Sequence, residues 1–430
     1  MPKIMNYTLV VTTISAPNAV LRELAAGCAA AGWRFVVAGD AKSPADFALE
    51  GCEYLSLEAQ ESSGFAYAAA APVGHYARKN IGYLQAIRNG ARVIVETDDD
   101  NYPLPAFFHP LPEQVEASVI EQAGWTNMYA YYSDQQVWPR GFPLEEVRRP
   151  PPELPATATR VLAPIQQALA DDNPDVDAVF RLTRELPLRF YAEQRRVALG
   201  QGSWCPYNSQ ATVHYSRAFP LLYLPAHCSF RMTDIWRSFV AQRIGWECGW
   251  HLLFREATVR QERNEHDLLR DFAEEVPGYL NNAAIARLLE ALPLEQGEAA
   301  IPHNLRACYR ALVAAGYVGE AELPLLDAWL SDLAQLGARA SASFTCSTTA
   351  SKPTCLCSSA FTPAASPIAT SSCRSPATRG RASAGCTNSA ATSAGISRKA
   401  RAISSILALP TTPSSPTTCC SIRASMPAIW

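Results

Sequence analysis

Three consecutive aspartates, Asp98, Asp99 and Asp100, follow a β-branched apolar run in "VIVETDDDNYP". Neighbouring carboxylates raise one another's pKa unless their charge is compensated. A hard divalent cation with oxygen ligands does this and keeps coordination positions for the oxygens of a diphosphate. In an extended chain Asp98 and Asp100 point the same way, which leaves Asp99 a second role. The plainer alternative is an acidic turn, where Asp and Asn are common. One helix upstream stand Arg78 and Lys79. Either these cations meet a phosphate, for which Arg is suited, or they are solvated helix charges.

The elements that must position these residues are legible in the first hundred positions. Residues 7–14 read as a strand. Asn18 suits an N-cap, with Val20, Leu21, Leu24 and Cys28 at helical spacing and Gly32 as the stop. Residues 33–40 and 52–57 read as further strands, and "YARKNIGYLQAIRNGA" as a helix ending at Gly90. The run before the triplet is uninterrupted and is therefore expected to be buried on both faces. Strand–helix–strand alternation implies a doubly wound α/β sheet with parallel pairing. Ligands bind such sheets at the carboxyl ends of strands. Three of those ends, "TTISAPN", "GDAKSP" and "ETDDDN", are polar. No G-x-G-x-x-G fingerprint and no P-loop accompanies them, which disfavours a dinucleotide dehydrogenase or P-loop NTPase.

Further on, residues 158–186 show helical patterning and "GSWCPYNSQATVHY" short strands and loops. "DIWRSFVAQRIGWECG" reads as an amphipathic helix. From about residue 280 to 337 the chain is mostly helical.

Composition limits the remaining classes. The chain has 430 residues and a net charge of -3, so no strong pull toward nucleic acid or anionic membrane is expected. No apolar run is long enough for a membrane helix and no leader pattern opens the chain, so the expected location is the cytoplasm. The averages conceal a break. No Asp or Glu follows Asp332, and residues 340–430 hold eight Lys or Arg and seven of the 13 Cys. Three readings of this tail are a disordered linker, a disulfide or metal module, and an out-of-frame translation of a GC-rich gene, whose acid-free Ser/Ala/Pro/Arg/Cys mixture it matches best. The Cys spacing fits no zinc motif.

Longer motifs carry a family resemblance. "YARKNIGYLQAIRNGARVIVETDDDNYP", "WRFVVAGDAKSPADF", "GCEYLSLEAQ", "WPRGFPLEEV", "CPYNSQATVHY", "FRMTDIWRSFVAQRIGW" and "VRQERNEHDLLRDFAEE" resemble the STELLO family of glycosyltransferases over roughly residues 6–280. A more distant likeness is to the reversibly glycosylated polypeptides, which are nucleotide-sugar mutases. The resemblance implies a GT-A type fold in which Asp98, Asp99 and Asp100 hold Mn²⁺ or Mg²⁺ and a UDP- or GDP-sugar. It places Asp40 where such folds contact the base, and Thr12, Thr13 and Ser15 beside the nucleotide. Asp234 in "TDIW" stands where such enzymes often place an acid near the acceptor. It is either the general base for an acceptor hydroxyl, an N-cap, or both. His266 is a candidate late metal ligand, and Arg260 and Arg263 would offset phosphate charge. Plant members carry a membrane anchor before this domain, so their Golgi setting is not carried over.

The sequence is thus expected to hold a GT-A like domain at 1–280, a helical extension at 281–339 and a low-complexity tail at 340–430. The expected activity is metal-dependent glycosyl transfer from a nucleotide-diphospho-sugar to a glycan or other hydroxyl acceptor. Inversion is favoured because a separate base suits direct displacement. A nucleotide-sugar mutase and a non-catalytic scaffold are the alternatives.

Overall fold

The computed structural model describes residues 6–262 and 267–348. The chain opens with β1 (Tyr7–Thr12), α1 (Ala19–Ala31), β2 (Arg34–Ala38) and β3 (Glu53–Leu55). Asn18 caps α1, its Oδ1 accepting the Leu21 N–H at 2.9 Å, and Gly32 ends it at φ 68°. Two short helices, α2 (Leu57–Glu61) and α3 (Ala66–Ala70), lead to α4 (Lys79–Arg88), β4 (Val93–Thr97) and β5 (Asn101–Pro103). The middle of the chain supplies β6 (Gln114–Ile120), β7 (Gly124–Trp125), β8 (Thr159–Leu162), β9 (Ile165–Asp171), α5 (Ala178–Thr183), β10 (Arg196–Leu199), β11 (Ser203–Trp204) and β12 (Ala211–Tyr215). Then come α6 (Thr233–Glu247), β13 (Leu252–Gln261), α7 (Leu268–Glu290), α8 (Ile301–Ala314) and α9 (Glu322–Thr348).

An 11-stranded sheet runs β3-β2-β1-β4-β12-β9-β13-β10-β6-β8, with β5 added to β13. The pairings give β3, β2, β1, β4, β9, β13 and β8 one common direction. This is the mostly parallel α/β sheet expected of a GT-A type fold. The first three strands step one way and β4 lies on the other side of β1, so the topology switches between β1 and β4. The antiparallel β12 starts where β4 ends, with Ala211 opposite Thr97. The segment before β12 is therefore delivered to the same edge as the triplet.

The strand β4 is buried along its whole length, as its unbroken apolar run implies. Leu9, Val11, Val93 and Val95 pack with α1 on one face, each side chain contributing about 2 kcal/mol of burial. Val10, Val36 and Ile94 belong to the larger core on the other. Close approach of α4 to the sheet depends on Gly82, where a Cβ would sit 2.7 Å from Val10 Cγ1.

Two readings from periodicity need correction. The stretch Ile165–Asp171, which carries helical patterning, is a central strand. Gln166 and Gln167 spoil the alternation, yet both are buried with partners: Gln167 Oε1 accepts from Asn208 N and Thr212 Oγ1. Pairing with β12 and β13 overrides local propensity. The helix α6 is not amphipathic but buried nearly all round. Arg237 pairs inside the protein with Glu96, and Arg243 donates to the Leu289 and Leu292 carbonyls.

The C-terminal helices are knitted into the same core. Asp332 of α9 accepts the Ala66 and Tyr67 N–H groups, and Glu322 accepts those of Ala226 and His227. No helix among the described residues is long and apolar enough to cross a membrane.

Candidate functional site

The strand β4 ends at Thr97, and the aspartates turn rather than extend, with Asn101 N–H donating to the Asp98 carbonyl at 3.3 Å. The expected alternation of Asp98 and Asp100 therefore does not apply. Each carboxylate goes to a different wall. Asp98 Oδ1 accepts from Tyr76 Oη at 2.8 Å and Lys79 Nζ at 3.1 Å. Asp99 Oδ2 accepts from Thr13 Oγ1 at 2.5 Å, closing the crevice between the β1 and β4 ends. Asn18 Nδ2 holds the Asp99 carbonyl at 2.8 Å. Asp100 accepts from Asn101 Nδ2 and Gln261 Nε2, the latter at the end of β13. All three aspartates are partly exposed. Burial raises the Asp99 carboxyl above its ordinary value, against the lowering by Thr13.

Among the described residues no three His, Cys, Asp or Glu side chains converge as a closed metal cage. The donor set still suits a hard cation that uses one or two carboxylates and completes its shell with phosphate oxygens and water.

Lys79 is wholly buried, and its Nζ also donates to the Thr97 carbonyl at 2.8 Å and to Tyr76 Oη at 2.7 Å. It thus neutralises the triplet from beneath rather than standing as a solvated helix charge. Arg78 is also buried and turns away, its Nε donating to Gln60 Oε1 and its Nη1 to the Ala71 carbonyl. It braces the loop before α4. Asp40 is 7% exposed, and its oxygens accept the N–H groups of Ala41, Gly74 and His75. That makes it a staple between the β2 end and the same loop. Thr13 is brought to the triplet, with Ser15 N–H on its Oγ1 and Ser43 Oγ on its carbonyl. Thr12 is half-buried and Ser15 exposed at the same strand end. Arg260 lies over the Tyr102 ring, 4.6 Å from its centroid, and pairs with Glu262. Arg263 and His266 lie outside the described residues.

Asp234 opens α6 but caps nothing with its side chain. Arg140 grips both its oxygens, at 3.1 and 2.9 Å, and grips Asp175 as well, at 2.7 and 2.9 Å. Burial alone would raise the Asp234 carboxyl, but the Arg140 charge and hydrogen bonds outweigh it and hold the group at about 2. A carboxylate so clamped is a weak proton acceptor. The geometry fits a positioning role better than a general base.

Tyr76, Ser209 and Arg140 escaped the sequence reading. Ser209 N–H donates to Asp234 Oδ2 at 3.2 Å, while Ser209 Oγ lies 2.6 Å from Tyr76 Oη. One phenol thus joins the triplet to the Arg140–Asp234 clamp. Burial and the Asp98 charge push the Tyr76 hydroxyl well above its ordinary range, so it stays protonated. The only advance signal was their place in motifs, "YARK", "CPYNSQ" and "WPRGFP", whose polar residues had no assigned work.

Residues 231–350 match a family model described as STELLO glycosyltransferases. The match includes Asp234 and does not reach the triplet. "Probable glycosyltransferase STELLO1" from Arabidopsis thaliana is 30% identical over 337 residues, covering 71% of this chain. "Probable glycosyltransferase STELLO2" from the same plant is 28% identical over 337 residues. The chain spans 42% of the length of each of these curated relatives.

Proposed function

We propose that this chain, which resembles the STELLO glycosyltransferases, is a glycosyltransferase that takes a nucleotide-diphospho-sugar, with UDP- and GDP-sugars the first candidates. The observation that carries this reading is the carboxylate cluster at the switch point between β1 and β4. There Thr13 and Asp99 meet, and Asp98 and Asp100 reach the edge where α/β sheets bind ligands. Asp98 and Asp100 would hold Mn²⁺ or Mg²⁺. A cation there supplies charge neutralisation for a leaving nucleoside diphosphate. Lys79 lowers the cost of gathering three aspartates, and Thr13 and Asn18 fix the turn. The acceptor is a glycan or another hydroxyl compound.

The clamp on Asp234 favours a second reading of the same donor site. A nucleotide-sugar mutase needs no base for an external acceptor, and Asp234 is poorly basic where it stands. Ring-isomerised nucleotide sugar as product identifies the mutase, and free nucleoside diphosphate with a glycoside identifies the transferase.

The donor reading is tested by calorimetry of the full chain with UDP and GDP, with and without Mn²⁺. Binding of at least one nucleotide should require the metal and weaken at least tenfold in Asp98→Asn. Binding indifferent to both would sink the metal site.

A further inference from the structure

We propose that Tyr76 is a positioning residue that determines which oxygen of Asp98 faces the cleft. The inference rests on the metal and diphosphate role proposed above for the triplet.

The hydrogens around the phenol can be assigned. Lys79 is an ammonium and can only donate, so its 2.7 Å contact uses one lone pair of Tyr76 Oη. An ionised Asp98 can only accept, so the single phenol hydrogen goes to Asp98 Oδ1 at 2.8 Å. Ser209 Oγ, 2.6 Å away, then gives its single hydrogen to Tyr76 rather than to its more distant acceptor, Asp234 Oδ2 at 3.4 Å. Both incoming donors polarise the phenol toward Asp98, and such chains strengthen one another. Lys79 adds its own contact to the same carboxylate oxygen at 3.1 Å.

Asp98 Oδ1 therefore carries two donors, and no hydrogen bond among the described residues falls on Oδ2. One oxygen is held by the protein, and the other carries no donor from the described residues on a side chain that is 32% exposed. Asp100 differs: among the described residues an amide donates to each of its oxygens. Asp98 is accordingly a one-oxygen ligand oriented by groups behind it, and such orienting partners commonly matter to metal affinity. Ser209 is held in turn through its N–H by Asp234. The clamp at the start of α6 thus reaches the triplet through Tyr76.

Tyr76→Phe is the direct test because it removes only the oxygen. The ring keeps its edge contact with Phe230 and its place under Lys79, 5.0 Å from the centroid. Calorimetry with UDP and Mn²⁺ on the full chain should show roughly tenfold weaker metal-dependent binding for Tyr76→Phe, and a smaller loss for Ser209→Ala. In an Asp98→Asn background Tyr76→Phe should cause no further loss, because its effect runs through Asp98. Wild-type-like binding in Tyr76→Phe, or losses that simply add, would overturn the inference while leaving the donor site standing. No metal-dependent binding of any nucleotide by the wild type would overturn the donor site and this inference together.

Discussion

Asp98 and Asp234 are the same side chain in opposite settings. Asp98 sits in a turn at a strand end, its side chain 32% exposed, with two donors on one oxygen. Asp234 opens a buried helix with a guanidinium across both oxygens. Solvent and a nearby cation can share the charge of the first. Only Arg140 and its neighbours compensate the second. Fold stability is therefore expected to depend strongly on Asp234 and little on Asp98, while ligand binding depends on Asp98.

The largest effect tests the buried end. Asp234→Asn should destabilise the fold by about 3 kcal/mol, because it breaks a buried pair and leaves Arg140 with Asp175 as its one ionic partner among the described residues. Denaturant unfolding measures this, and a midpoint shared with the wild type would mean the clamp is incidental. Its pH signature is distinctive. The Asp234 carboxyl is lowered from 3.8 to about 2, so its contribution is complete above about pH 4 and is lost as pH falls through 2. The stability gap between wild type and Asp234→Asn should shrink over that window and stay constant above it.

Gly141→Ala comes next, at about 2 kcal/mol. Gly141 follows Arg140 with φ 86°, and a Cβ there would run into Ile235 of α6. The same unfolding assay checks it, and a neutral result would mean the turn that aims Arg140 is slack. Asp98→Asn should be smallest, at about 1 kcal/mol. Lys79 keeps the Thr97 carbonyl and Tyr76 hydroxyl as partners after the substitution. A loss as large as that of Asp234→Asn would erase the contrast.

The sequence disclosed the N-terminal half well because local and tertiary signals agree there. Asn18 and Gly32 bound α1, and the unbroken run before Asp98 is a strand buried on both faces. The signals conflicted in β9 and α6. Gln166 and Gln167 mimic a helix surface but are buried inside the sheet, where Gln166 Nε2 donates to the Pro112 carbonyl and Gln167 Oε1 accepts from Asn208 N–H. Arg237 and Arg243 mimic a solvated helix face but are paired within the core. Long-range partners cannot be read from spacing, since Arg237 finds Glu96 141 positions away.

Residue types and order by themselves determined a parallel-rich sheet, the place of the aspartate triplet at a strand end, and the likeness to the STELLO glycosyltransferases. Those follow from local patterning and from motifs. Only the tertiary structure decided the partners of each charge. It buried Lys79 beneath Asp98, turned Arg78 and Asp40 to loop bracing, and locked Asp234 against Arg140. Burial and pairing set the chemistry of an ionisable group, and both are created only when distant segments meet.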